Sequence, residues 1–496
     1  MTEMMNELIL IRHGKAEPRG EAADDAQRKL TKNGTEDLKK ILPELKSHMD
    51  PELKPALCSS PLLRALQTAE MIADHFGISE IEQSDWIEKG GYAELGEKLN
   101  QLEPPSALIV VGHEPYLSSW SREFSGFTIP FRKGTAAGFR ILSTEPLRAE
   151  PIWMVLPETV GRQELSIRKS QPAPREFQKL LRFQIHEVYR MLQVFLNNPE
   201  DPETAHQFRV KTRAFRSLLS FIKPQLNQDQ YQRAEDLLEK LSQGTVRLRE
   251  IDVIKSEWTK LMETHPEVMR PKSVLTAVLT SERQKELKEI RGSASWMLSA
   301  IFDIWNWIEK GFQFETAEAD SEAGTEAPCA GTPAAEITEA KETPAEIAEA
   351  VEAENDQAKD KKKTGKILSL EDFSRKRTRE WMKKADVQLK GMDYNDPEAV
   401  HSLRIQFKKL RYVLDALNPL LHLESKAFAA SLAALQDVLG TYCDIERNLF
   451  ILKEFDVKYA PRGIRQESGI LGGYQIRLSE EKLREMRKLV SSINLK

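Results

Sequence analysis

The period of the apolar positions changes once along this chain. Residues 7–11, "ELILI", and 107–111, "ALIVV", are short apolar runs rich in β-branched side chains. That is the pattern of strands buried on both faces of an α/β sheet. Between them, "GTEDLKKILPELKSHM" and "SPLLRALQTAEMIADHFG" space their apolar residues as helices do, and Gly77 closes the second as a C-cap. "AAGFRIL" and "PIWMVL" predict two further strands before the pattern shifts near residue 165. From Arg175 onward helical spacing prevails. The expectation is an α/β domain over 1–165 and an all-α region over 175–490, a division that suits a chain of 496 residues.

One interval interrupts the helical region. Residues 317–363 consist largely of Ala, Glu, Thr and Pro, too few apolar side chains to offset their ordering entropy. They predict a disordered acidic insertion between helical parts at about 175–315 and 368–490. Charge follows this division. The net is -5 over residues 1–170, +3 over 171–312, -9 over 313–365 and +6 over 366–496, so the overall -5 conceals basic helical regions. Cys58, Cys329 and Cys443 are far apart and form no CxxC pair, which argues against a disulfide framework or a zinc site. The most apolar stretch, "WMLSAIFDIWNWI", is shorter than a membrane span and contains Asp303. A cytoplasmic protein without a membrane partner is expected.

Two constellations carry candidate chemistry. In the first, "RHGKAEP" places Arg12 and His13 just past the first predicted strand, where an α/β sheet presents ligand-binding groups. "SSPLLRALQTA" adds Arg64 at the start of a helix, and "VVGHEP" adds His113 at the end of another strand. Two arginines and two histidines suit a phosphoryl group: guanidinium donors match its oxygens, and a neutral imidazole can attack phosphorus. In the second, His206, Arg209, Arg213 and Arg216 of "HQFRVKTRAFR" share a helical stripe about 80° wide. Phe208, Phe215, Leu219 and Ile222 lie on the far side. "HSLRIQFKKLR" repeats the arrangement with His401, Arg404, Lys408 and Arg411 opposite Leu403, Phe407, Leu410, Leu414 and Leu417. The approaches agree too, "EDPETAH" against "NDPEAVH", with Asp201 and Asp396 as predicted caps. A merely solvated face has no reason to keep its register in a second copy, so the repeat points to an anion-binding surface.

The order strand-RHG, SPxxRAxxT, strand-GH resembles the histidine phosphatase superfamily, in particular its small SixA-type members, over about residues 5–160. The resemblance implies a phosphoglycerate mutase-like sheet with flanking helices. It also implies a phosphohistidine intermediate on His13, with Arg12, Arg64 and His113 holding the phosphate and no metal or cofactor. Glu88 and Glu94 are candidates for a general acid, although an exposed loop carboxylate is the plainer reading of each. Phosphohistidine, with its more easily expelled leaving group, suits a site without a strong acid.

The duplicated helix resembles the CHAD domain, a conserved-histidine, internally duplicated helical bundle. "REIDV" with Asp252 and "LQDVLGTYCDIE" with Asp444 resemble segments that close each half, although Glu250 replaces the usual aspartate and spacing differs after Gly244 and Gly440. The resemblance implies inorganic polyphosphate as ligand and association with polyphosphate bodies. Lys179, Arg182, Arg375, Arg377, Arg379 and Lys383, near the first helix of each half, would widen the cationic track. The stripes carry no aromatic stacking platform, which disfavours single-stranded nucleic acid. Two competing expectations remain: a scaffold that binds phosphate or polyphosphate without turnover, and a basic helical module for nucleic acid.

Overall fold

The computed structural model describes residues 6–20, 24–157, 160, 166–266, 273–310, 368–394, 396–421, 426–459 and 462–492. The expected insertion at 317–363 lies outside the described residues. The two apolar runs become β1 (Glu7–Arg12) and β4 (Ser106–Gly112), which pair in parallel. With β2 (Lys54–Ser59), β3 (Ile81–Gln83), β5 (Ala136–Thr144) and β6 (Leu147–Val155) they form a sheet of order β3-β2-β4-β1-β5-β6. The pairs among β1 to β4 are parallel, whereas β5 runs antiparallel to both β1 and β6. β2 contains no β-branched residue, so the pattern that reveals β1 and β4 passes over it.

Period-two alternation explains why the central runs look continuously apolar. Leu8, Leu10, Leu108 and Val110 join one core, while Ile9, Ile11, Ile109 and Val111 join the other. α1 (Lys32–His48) and α2 (Leu63–Phe76) cover the second face through Leu38, Ile41, Ala69 and Ile72. α3 (Asp85–Lys89), α4 (Tyr92–Asn100) and α5 (Tyr116–Ser125) bring Ile87, Leu95 and Trp120 to the first. Gly77 ends α2 in the left-handed region with φ +73°, and its N–H returns to Ala73 O.

The helical region comprises α6 (Ala173–Asn197), α7 (Pro202–Ile222), α8 (Gln228–Gln243), α9 (Val246–Thr264), α10 (Val274–Gly292) and α11 (Ala294–Lys310). After the undescribed interval come α12 (Leu370–Lys390), α13 (Pro397–Leu421), α14 (Lys426–Lys458) and α15 (Arg462–Ser492). The two repeated segments are α7 and α13. Asp201 and Asp396 cap them, each accepting from the N–H two residues on, Glu203 and Glu398, at 2.9 Å. Their apolar stripes are buried, with Phe208, Phe215, Phe407 and Leu410 all at 0% exposure. The halves diverge at the glycines. α8 stops before Gly244 and α9 starts after Thr245, whereas α14 runs through Gly440 unbroken.

The two regions share one core. Residues of β5, β6 and α5 pack in the same cluster as Phe177, Leu181 and Tyr189 of α6 and Phe302 and Trp305 of α11. "WMLSAIFDIWNWI" is thus a buried helix against β6, and no helix among the described residues is long and apolar enough to cross a membrane. β6 is the end strand of the sheet, and Tyr189 of α6 reaches its edge. Tyr189 Oη accepts from Met154 N at 2.8 Å and donates to Met154 O at 2.7 Å, satisfying backbone groups that an open edge would expose.

Candidate functional site

The N-terminal constellation assembles at the carboxyl end of β1. Arg12 N donates to Thr135 O at 2.9 Å and His13 N donates to Gly112 O at 3.2 Å, locking both residues between β4 and the loop before β5. α1 is seated on the following loop: Thr31 N donates to Lys15 O at 2.8 Å. A Cβ on Gly34 would stand 2.1 Å from that same carbonyl oxygen, so only glycine fits the approach.

His13 and His113 are both buried, with ring centroids 5.0 Å apart. His13 Nδ1 donates to Gly14 O at 2.7 Å, a bond that fixes the tautomer and leaves the lone pair on Nε2. Burial is the main reason its pKa falls to about 3, with neighbouring His113 and then Arg64 and Arg12 adding to it, so the imidazole is neutral near pH 7. Burial and the same arginines lower His113 to about 4. His113 Nε2 lies 2.8 Å from Ser60 Oγ. Arg64 Nη1 donates to Asp25 O at 2.8 Å, and its Nη2 is 3.2 Å from Asp25 Oδ2. Arg12 Nη1 donates to Phe131 O at 2.8 Å.

Arg12 Nε, Arg64 Nε and His113 Nδ1 are buried without a hydrogen-bond partner among the described residues. Buried polar nitrogens left open in this way are costly, and two guanidinium Nε–H groups and an imidazole nitrogen open in one pocket are what an anionic ligand would satisfy. The structure therefore brings Arg12, His13, Arg64 and His113 together. It adds residues that the motifs do not reveal. Arg28 is 8% exposed, and its Nε sits 2.8 Å from Asp25 Oδ1, so Asp25 ties Arg28 to Arg64. Burial opposes ionisation of the Asp25 carboxyl, but the Arg28 hydrogen bond and neighbouring arginines hold its pKa below the ordinary value. Nothing in the spacing of "DDAQRKL" separates Arg28 from its charged neighbours. Of the two acid candidates, Glu88 is close enough for its charge to act on Arg64, while Glu94 is exposed and folds back over Gly91.

The helical constellation lines a cavity of about 1150 Å³ between α7, α9, α13 and α14. His206, Arg209 and Arg213 face it from α7, and His401, Arg404 and Lys408 from α13. Arg216 and Arg411 do not line it. Arg216 pairs with Glu235 at 2.7 Å and Arg411 lies 3.7 Å from Asp415, so the stripes contribute only three residues each. The helical wheel places all four of each stripe on one face, but the last cation of each lies outside the lining and beside a carboxylate. Arg249 and Arg447, from α9 and α14, add two further cations, and Glu250, Glu398, Asp444 and Glu446 also line the cavity.

The six supplementary cations lie elsewhere. Arg375 and Arg377 bond along their own helix to Glu371 and Glu380, and Arg379 and Lys383 are exposed outside the cavity lining. Lys179 and Arg182 line a different groove, against the N-terminal domain. The closing segments also differ: Asp444 pairs with Arg404 at 3.0 Å beside the cavity, whereas Asp252 is buried against Arg283 at 2.7 Å.

Electrostatics distinguish this cavity from a solvated face. Arg447 pairs with Glu250 at 2.6 Å. Arg209, Arg213, Arg249 and Lys408 have no carboxylate partner among the described residues. Burial, then Arg404 and Arg213, bring Lys408 down to about 7. Burial also lowers Arg213. Arg209 is different, since its Nη1 donates to Ser242 O at 2.8 Å and Thr245 Oγ1 at 2.9 Å across the α8–α9 break. It is part of the scaffold as well as the lining.

Fold and geometry define the class: an α/β domain with a histidine and arginine pocket, joined to a duplicated helical bundle around a cationic cavity. Residues 184–450 match the CHAD domain and residues 8–106 match the histidine phosphatase superfamily (branch 1). The chain belongs to the CHAD domain family and carries an N-terminal domain of the histidine phosphatase superfamily. An uncharacterized protein of Picosynechococcus sp. (strain ATCC 27264 / PCC 7002 / PR-6) is 32% identical over 148 residues, covering 27% of this chain and 84% of that protein. The structure of the protein histidine phosphatase SixA complexed with tungstate is 25% identical, covers 31% of this chain and 99% of its own, and has a TM-score of 0.28. The CHAD domain from the plant Ricinus communis is 18% identical, covers 68% of this chain and 97% of its own, and has a TM-score of 0.46.

Proposed function

We propose that the protein is a phosphohydrolase acting through a phosphohistidine on His13 and carrying a polyphosphate-binding bundle. The observation that carries the first part is the neutral, oriented His13 imidazole beside three buried, unpartnered nitrogens. His13 Nε2 attacks phosphorus, Arg12, Arg64 and His113 stabilise the charge on the phosphoryl oxygens, and water releases phosphate. Phosphohistidine and small phosphorylated molecules are the substrate classes that fit a pocket without a strongly placed acid. A phosphate-release assay of the full chain on a phosphohistidine peptide and on phosphomonoesters tests this. Turnover of at least one is expected; release from none would leave a phosphate-binding scaffold as the better reading.

The second part rests on the unpaired cations of the helical cavity. A chain with a charge on each phosphate would engage several of them at once and release counterions. Lys408 makes this binding pH-sensitive. Because its pKa in the free protein is about 7, a bound polyanion draws a proton onto it, and affinity should fall as pH rises from 6.5 to 8.5. Lys408→Arg should retain affinity and flatten that slope. Titration of labelled polyphosphate at fixed salt measures both, and an equal slope in the variant would remove Lys408 from the binding surface. RNA or DNA displacing polyphosphate at equal charge would favour the nucleic-acid reading.

A further inference from the structure

A second cationic cavity, of about 1030 Å³, lies between the two domains. It begins at Arg12 and Lys15 beside the phosphatase pocket and extends across Lys133 to Arg168, Arg175 and Lys179 at the start of the bundle. Nine cationic and three carboxylate side chains line it. The carboxylates are already engaged: Asp37 with Lys40 at 3.1 Å, Glu176 with Lys179 at 2.7 Å, and Glu309 with both Arg132 and, at 3.0 Å, Arg182. Lys15, Lys133, Arg168 and Arg175 have no carboxylate partner among the described residues. The far wall is built: buried Glu176 accepts from Arg168 N at 2.8 Å, which fixes the backbone from which that arginine projects. Lys133 lines the cavity at its phosphatase end, where burial, then the charges of Arg12, Arg28, Lys15 and Arg64, lower its pKa.

Transfer of one phosphoryl group to His13 uses Arg12, Arg64 and His113 and does not require this row. We propose that the interdomain groove is the leaving-group subsite of the phosphatase, and that it selects substrates whose leaving group is itself a phosphate: the terminal anhydride of an oligophosphate. The inference rests on the phosphohydrolase reading above and names its substrate class. Leaving-group chemistry agrees with the pocket. A departing phosphate chain is a stable anion that needs no proton from an acid, and the structure brings no carboxylic acid to bond distance of His13 among the described residues. A departing imidazole or simple alcohol carries no phosphate for those four cations to hold.

The reaction balances without a co-reactant other than water. The His13 Nε2 lone pair forms the N–P bond as the bond from the terminal phosphorus to the bridging oxygen breaks. That oxygen keeps the electron pair and becomes a terminal oxygen of the shortened chain. Water then adds to phosphorus and the N–P pair returns to Nε2. Orthophosphate retains one proton of the water and solvent takes the other.

The test compares kcat/KM of the full chain for tripolyphosphate, a nucleoside triphosphate, phosphoimidazole and p-nitrophenyl phosphate. Tripolyphosphate or the nucleotide should exceed p-nitrophenyl phosphate at least tenfold, and whichever of the two is preferred identifies a free or a nucleoside-linked chain as the source. In Arg168→Gln/Arg175→Gln the ratio of anhydride to p-nitrophenyl phosphate should fall at least tenfold, mainly through KM. Preference for phosphoimidazole or p-nitrophenyl phosphate in the unaltered protein, or an unchanged ratio in the variant, would overturn the substrate class while leaving the phosphohydrolase reading intact. Turnover of none of the four would overturn that reading and this inference with it.

Discussion

His13→Ala is expected to lower kcat/KM for phosphate release by roughly 10⁴-fold or more, because it removes the group proposed to form the covalent intermediate. The Nε2 lone pair owes its availability to two features of the fold. The Nδ1 bond to Gly14 O orients the ring, and burial keeps the imidazole unprotonated at neutral pH. Removing the side chain leaves Arg12, Arg64 and His113 in place, so phosphate or vanadate should still bind. Rapid quenching with labelled substrate should trap an acid-labile, base-stable phosphoenzyme in the unaltered protein and none in the variant. Turnover retained within tenfold would exclude His13 as nucleophile and favour direct attack by water. The combination of lost turnover with retained anion binding separates this from simple unfolding.

Neutralising Arg213, Arg249 and Lys408 together with glutamine is expected to weaken polyphosphate binding by about 10² to 10³-fold near 0.1 M salt. Each loses a charge-assisted contact worth on the order of 1.5–3 kcal/mol before compensation by the remaining cations. The slope of log affinity against log salt should become shallower by about 2, at roughly 0.7 per phosphate contact for a single-stranded polyanion. Arg209 is left intact because its bonds to Ser242 and Thr245 hold the α8–α9 break, and losing them would confuse binding with folding. The stability effect has the opposite sign. Half-buried like charges repel one another across α7 and α13, so the thermal midpoint of the triple variant should stay level or rise. An unchanged salt slope with an unchanged midpoint would return these residues to a solvated surface role.

How far the site was legible depends on what kind of information each residue carries. His13 follows an apolar strand run, His113 follows another, and Arg64 opens a helix. All three are marked by the boundary between an element and its loop. Arg28 has no such mark, since it gains its place only when the loop before α1 folds back and Asp25 reaches Arg64. The cationic stripes show the same limit from the other side. Helical arithmetic puts Arg216 with Arg213 and Arg411 with Lys408, yet Glu235 and Asp415 engage the two end residues outside the cavity. Periodicity locates a residue on its own helix, but it holds no information about which carboxylate a neighbouring helix or turn will bring.

Lys179 and Arg182 mark the largest gap between pattern and structure. As part of a basic helix they read as an extension of the bundle's surface, but they line the groove facing the other domain. That placement follows from α6 burying Phe177, Leu181 and Tyr189 in a core shared with β6. The amino-acid sequence by itself determined the strand runs, the phosphate-type motifs and the duplicated helix, because those are local periodicities and spacings. Only the tertiary structure decided which cations keep their charge free and that one cationic groove joins the two domains. Pairing and desolvation depend on residues far apart in the chain, and they take their values only when the packed core fixes which groups meet.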